Sequence, residues 1–222
     1  KGIIELGEHF ALMAKQISAM PLFKELSSFT TKETKNGTSD RVVVESVMLI
    51  NFKDDWKKDQ SVMCEYVKNN ANDDMFDEVE DLIDCLENIH NDEFYELFDS
   101  KNTFLWLAAF RNFKELTNYE VDDTKFADFL IEFNKTLQYK EVNGESFYDL
   151  CIDKETGKNR ATKDKYIVLP KFNKLLYLMK EFFNTIKDHR VYFNDNFFSR
   201  PVDCEIQTGN PYLEMNLEYK NN

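Results

Sequence analysis

Between Ser39 and Phe52 the chain reads Ser-Asp-Arg-Val-Val-Val-Glu-Ser-Val-Met-Leu-Ile-Asn-Phe, the most apolar window in an otherwise polar sequence. Its few polar positions do not collect on one side. A helix apolar on most sides is buried on most sides, so this segment is expected at the centre, with amphipathic elements around it. The valine triplet also suits a strand, but fourteen residues between two polar turns is long for a strand and ordinary for a helix. Ser39 or Asp40 is placed to cap it by accepting from the first free backbone N–H groups. Only six glycines and four prolines occur in 222 residues, which disfavours a turn-rich all-β fold and a glycine-cradled nucleotide site. The expectation is a mainly α, multi-helix orthogonal bundle around a central helix at about 39–53.

The neighbouring segments carry the same helical period. Ile3, Leu6, Phe10, Ala14, Ile17 and Met20 recur at intervals of three and four, and Pro21 interrupts them to begin a second short helix. Thr30 with Glu33 is a capping-box pair. Asn36-Gly37-Thr38 is a stop, and Asp54-Asp55-Trp56-Lys57-Lys58 reads as a polar link before a helix over Val62–Val67. Helices are also expected over 73–89, over 102–116, on the stripe Phe126, Phe129, Leu130, Phe133 and Leu137 after Asp122-Asp123-Thr124, and over 169–186. A hydrophilic loop from about Glu141 to Lys165 separates the last two, with a short turn at Phe147–Ile152. Residues 1–189 thus form one helical domain. In 190–222, Val202, Cys204 and Ile206, then Leu213, Met215, Leu217 and Tyr219, alternate with polar residues around Gly209-Asn210-Pro211, which fits a small β-hairpin packed on it or a helix beginning at Pro211.

The charge map is uneven. Net charge is −13, and residues 73–99 hold twelve acids with no lysine or arginine. Asp77, Glu80, Asp81 and Asp84 stand one turn apart, a spacing that suits a shared divalent cation but, without further ligands from other elements, reads as a solvated face, or as carboxylates presented to a basic protein, in the sharpest form as a mimic of nucleic-acid phosphates. The stretch from Lys154 to Lys174 is locally basic, and Lys158, Arg160, Lys163 and Lys165 are the candidates for a weak nucleic-acid contact. The overall negative charge opposes broad capture of DNA or an anionic membrane.

Catalytic and metal motifs are scarce. His9, His90 and His189 have no second histidine or cysteine at three or four residues' distance, so no zinc pattern forms. Asp153 to Asp164 departs from a calcium loop: its glycine is one position early and its twelfth residue is Asp rather than Glu. No nucleophile elbow or phosphate loop occurs. Cys64, Cys85, Cys151 and Cys204 are widely spaced, as in reduced thiols of a cytoplasmic protein. No cofactor, metal or membrane partner is implied, and no catalytic residue is assigned. The chain begins Lys1-Gly2 without methionine, which suggests a fragment.

Pro21-Leu22-Phe23-Lys24, Phe29-Thr30, Asn36-Gly37-Thr38-Ser39-Asp40-Arg41 with the apolar helix after it, Phe126-x-x-Phe129-Leu130-x-x-Phe133 and Ala161-Thr162-Lys163-Asp164 follow in a fixed order. Together they resemble the helical region after the nuclease-like core in bacterial proteins of the ParB/sulfiredoxin-like nuclease superfamily, over roughly residues 5–185. The resemblance implies a non-catalytic accessory module of a larger DNA-processing or defence-type protein, packed on an N-terminal catalytic core. That core and its arginine- and glycine-bearing motif are absent here, so no catalytic residue carries over. The alternative is a free-standing acidic interaction protein using the 73–99 face.

Overall fold

A computed structural model describes residues 3–153, 156–157 and 163–185. The described chain is mainly α-helical, with an isolated antiparallel bridge between Val142 and Glu145. Ten α-helices follow in order: α1 Glu8–Ile17, α2 Pro21–Lys24, α3 Thr31–Lys35, α4 Thr38–Phe52, α5 Gln60–Asn70, α6 Asp73–Asn88, α7 Thr103–Leu116, α8 Thr124–Lys135, α9 Phe147–Cys151 and α10 Lys165–Thr185. The hairpin expected in 190–222 lies outside the described residues.

The apolar window is helix α4, and every residue from Val42 to Leu49 is buried. It shares the centre with α7, whose residues Thr103 to Phe110 are likewise all buried. α1, α3, α5 and α6 pack around α4, while α6 and α10 also pack on α7. Two of the hydroxyls caught inside are satisfied locally. Ser46 Oγ donates to the Val42 carbonyl at 2.8 Å, and Thr103 Oγ1 to the Asp99 carbonyl at 2.7 Å. Both bonds go to a carbonyl four residues earlier in the chain, so neither hydroxyl adds an unpaired group to the core.

Local signals placed most boundaries. Pro21 occupies the first turn of α2, where its missing N–H is one that has no helical partner in any case. Thr30 and Glu33 form the expected capping box, and Ser146 with Asp149 forms another at α9. The start of α4 corrects the expected cap. Gly37 takes a left-handed φ of 81°, the helix opens at Thr38, and Asn36 Oδ1 accepts the Thr38 N–H at 3.1 Å. Asp40 is turned away and accepts from the Ser18 hydroxyl instead. Gly7, at φ 82°, divides the first expected helix into a short 3-10 turn at Ile4–Leu6 and α1.

Trp56 is a second correction. It stands in the segment expected as a polar link, yet it is buried, stacks on Phe104 at 5.4 Å between ring centroids, and donates Nε1–H to the Lys163 carbonyl at 2.8 Å. A partner 107 residues away in the chain leaves no local trace. α10 also begins earlier than expected, at Lys165, with Pro170 inside it. The Asp164 carbonyl accepts the Ile167 and Val168 N–H groups at 2.9 Å, so the helix is anchored before the proline. One intrahelical hydrogen bond is forgone there.

Phenylalanines join the second half. Phe110, Phe113 and Phe126 meet with centroids 4.8 to 6.3 Å apart, and Phe183 reaches Phe113 at 5.3 Å. Phe133 meets Trp106 at 4.7 Å and Phe147 at 5.2 Å, so α7, α8 and α9 share one aromatic seam.

Candidate functional site

Helix α6 owes its orientation to a stripe of five buried residues, Phe76, Val79, Leu82, Ile83 and Leu86. Asn72 caps it, its Oδ1 accepting the Met75 N–H at 3.2 Å, and Asp73 and Asp74 lie in the first turn where the helix dipole favours acids. With the apolar stripe turned inward, Asp77, Glu80, Asp81 and Asp84 are all exposed.

The acids around α6 divide into two groups. Glu78 binds Arg111 Nε at 3.1 Å, Asp73 meets His9 at 2.8 Å, and Glu87 accepts the Leu22 N–H at 2.7 Å. Burial, with the Asp84 charge adding to it, pushes the Glu87 carboxyl above its ordinary range, against the pull of the Leu22 bond. By contrast, no ion pair joins Asp77, Glu80, Asp81 or Asp84 to another described residue. Asp77–Asp81 and Glu80–Asp84 are like-charge pairs at four residues' spacing, each unfavourable by roughly 0.2–0.5 kcal/mol in an isolated helix. The four expected residues are therefore brought together as one uncompensated anionic face.

The cations expected to contact nucleic acid do not form a corresponding surface among the described residues. Lys158 and Arg160 lie outside those residues. Lys163 is turned inward: its Nζ donates to the carboxylate of Glu45, which is 0 % exposed on α4, and to the Ser100 carbonyl at 3.1 Å. The ammonium also sits 4.7 Å from the Phe104 ring centroid. Burial pushes Lys163 below the ordinary lysine range, with Glu45 pulling the other way. Arg41 Nε holds the second Glu45 oxygen at 2.7 Å, so one buried carboxylate receives two cations. Lys165 is exposed and donates to the Asp54 carbonyl.

Two further lysines of the basic stretch are buried as well. Lys174 Nζ donates to the Val142 and Glu145 carbonyls at 2.9 and 2.8 Å, and burial pulls its pKa down. Lys171 lies beside Cys151 and Asp99. One signal for this was legible: Lys171 falls in register with Val168, Leu175 and Leu178 on the buried stripe of α10.

The remaining reactive groups are quiet. The three described cysteines are free thiols, and burial raises the pKa of each, Cys64 to about 11. Among the described residues no three histidine, cysteine or acidic side chains converge in a way that would hold a metal ion. No described helix is long and apolar enough to cross a membrane. No family model, curated protein or solved structure matches the chain.

Proposed function

We propose that this chain is a non-catalytic helical interaction module whose working surface is the acidic face of α6, docking a cationic protein surface. That surface belongs to a basic partner or to the catalytic core of the larger DNA-processing or defence-type protein implied by the resemblance above. The observation that carries the reading is the contrast between two clusters. The carboxylates of Asp77, Glu80, Asp81 and Asp84 face solvent with no cation paired to them among the described residues, while the cations of Lys163, Lys171 and Lys174 are spent inside the fold. A lysine- or arginine-rich surface would relieve the repulsion among the four acids and speed encounter by electrostatic steering.

The test is titration with a lysine-rich peptide, followed by fluorescence anisotropy at several salt concentrations. Saturable, salt-sensitive binding is expected to be lost in a variant carrying Asp77→Asn, Glu80→Gln, Asp81→Asn and Asp84→Asn. A second variant neutralises four exposed acids elsewhere, Glu8, Asp54, Glu65 and Glu141, for the same change in net charge. It should keep binding. Equal loss in both variants refutes a localised face and leaves only net charge.

A further inference from the structure

A cleft of about 410 Å³ opens on the side of the molecule where the Asp92–Leu97 turn, α7, α8 and α9 meet. Small-molecule sites fall in the range of roughly 300–1,000 Å³, whereas a single water occupies about 30 Å³ in the liquid. Its aromatic wall is continuous. Trp106, Phe133 and Phe147 lie in mutual contact at 4.7 to 6.3 Å, and Tyr139 and Tyr148 pair beside them with centroids 5.2 Å apart. The two tyrosines are half-exposed, at 56 % and 46 %, so their rings are available at the mouth.

The polar groups of the cleft are distinctive in sign. Glu96 is exposed at its edge, and no lysine or arginine is among the described residues that line it. Two atoms of its wall, Asn102 Oδ1 and Trp106 Nε1, are buried without a hydrogen-bond partner, and Trp106 is 1 % exposed. The orientation of the Asn102 amide follows from its neighbour: Nδ2 donates to Asp99 Oδ2 at 3.3 Å, which leaves the oxygen as the unused end. The thiol of Cys151, also in the wall, is held protonated by burial and adds no charge.

The exposed rings of Tyr139 and Tyr148 with a carboxylate at the rim, and Lys171 held behind the wall beside Cys151 and Asp99, favour one kind of guest. We propose that this cleft binds a compact organic cation of the trimethylammonium type, seated against the Tyr139 and Tyr148 rings with Glu96 as its counter-charge. The ammonium is drawn to the ring faces and the carboxylate, and its methyl groups bury apolar area. The site is separate from the α6 face, and either can fail without the other.

The experiment is a titration of the whole chain, ¹⁵N-labelled at tryptophan, with choline and with its uncharged isostere 3,3-dimethylbutan-1-ol. The indole N–H signal of Trp106 reports the cleft, and that of Trp56, bonded to the Lys163 carbonyl, is the internal control. Choline is expected to shift the Trp106 signal saturably and to bind about two- to fivefold more tightly than the isostere, the ratio that a cation–π contact at half-exposed rings supplies. Tyr148→Leu and Glu96→Gln, both at exposed positions, should each weaken choline while leaving the circular dichroism spectrum unchanged. A short glycine-flanked peptide bearing trimethyl-lysine separates the two sources of such a group. Tighter binding of the peptide assigns the site to a modified protein, and equal or weaker binding assigns it to a free metabolite. No saturable shift, equal binding of the isostere, or indifference to Tyr148→Leu overturns the proposal.

Discussion

Lys163→Met removes one of the two cations on Glu45, and the consequence can be worked from the geometry. Glu45 is wholly buried on the central helix, and Lys163 reaches it across 118 residues of sequence. Breaking a buried ion pair by deleting one partner costs about 3–5 kcal/mol, because the other charge stays buried without compensation. Arg41 still holds one Glu45 oxygen at 2.7 Å, which places the loss near the low end, about 3 kcal/mol. Loss of the cation above Phe104 adds about 0.5–1 kcal/mol, and the Ser100 carbonyl loses its donor. For a chain of this size, the total of about 3.5–4 kcal/mol corresponds to a fall in Tm of roughly 7–16 °C. Adding Glu45→Leu removes the stranded carboxylate. Arg41, 31 % exposed, then turns to water, and the double variant should return to within about 1 kcal/mol of the parent. Urea denaturation followed by far-ultraviolet circular dichroism measures the parent, each single variant and the double variant. A single variant within about 0.5 kcal/mol of the parent, or a double variant no better than the sum of the singles, refutes the reasoning.

Phe133→Ala should destabilise by about 3–5 kcal/mol, since its fully buried ring joins Trp106, Phe129 and Phe147; calorimetry checks it. The Ser100 hydroxyl and the Thr30 N–H hold Glu33 below its ordinary value of 4.5, so its stabilisation is present above that value and lost as pH falls through the lower folded one. Glu33→Gln should therefore be less stable than the parent at neutral pH, and the gap should close in acid; a gap that persists refutes the assignment. Neutralising Asp77, Glu80, Asp81 and Asp84 together should leave thermal stability unchanged or raise it slightly, by about 0.2–0.5 kcal/mol for each relieved pair, even as it abolishes capture of the cationic peptide. Cys64, with its pKa pushed up to about 11, should resist iodoacetamide at neutral pH and react only on unfolding, as peptide mapping would show.

Much of the helical architecture was written locally. The apolar window set α4, the Thr30–Glu33 pair set the start of α3, and the stripe from Phe76 to Leu86 aimed α6 so that its acids face water. These readings hold because a helix is organised by neighbours three and four residues apart, and capping by side chains within a single turn. The acidic face was legible for the same reason: its four carboxylates share one surface whatever else the chain does.

What the sequence could not disclose was where its charges and its aromatic rings meet their partners. Lys163 looked like a surface cation and is a buried anchor. Trp56 looked like part of a link and is core. In each case the decisive contact comes from more than 100 residues away. A lysine at the end of a polar loop carries no local sign that a buried carboxylate awaits it on another helix. The cleft is a tertiary product in the same sense, since Glu96, Asn102, Tyr139 and Tyr148 come from separate stretches of the chain and share no motif. Periodicity records which face of an element turns inward. Only the packing of elements decides which groups then stand opposite one another, because that depends on long-range geometry that no short window of sequence contains.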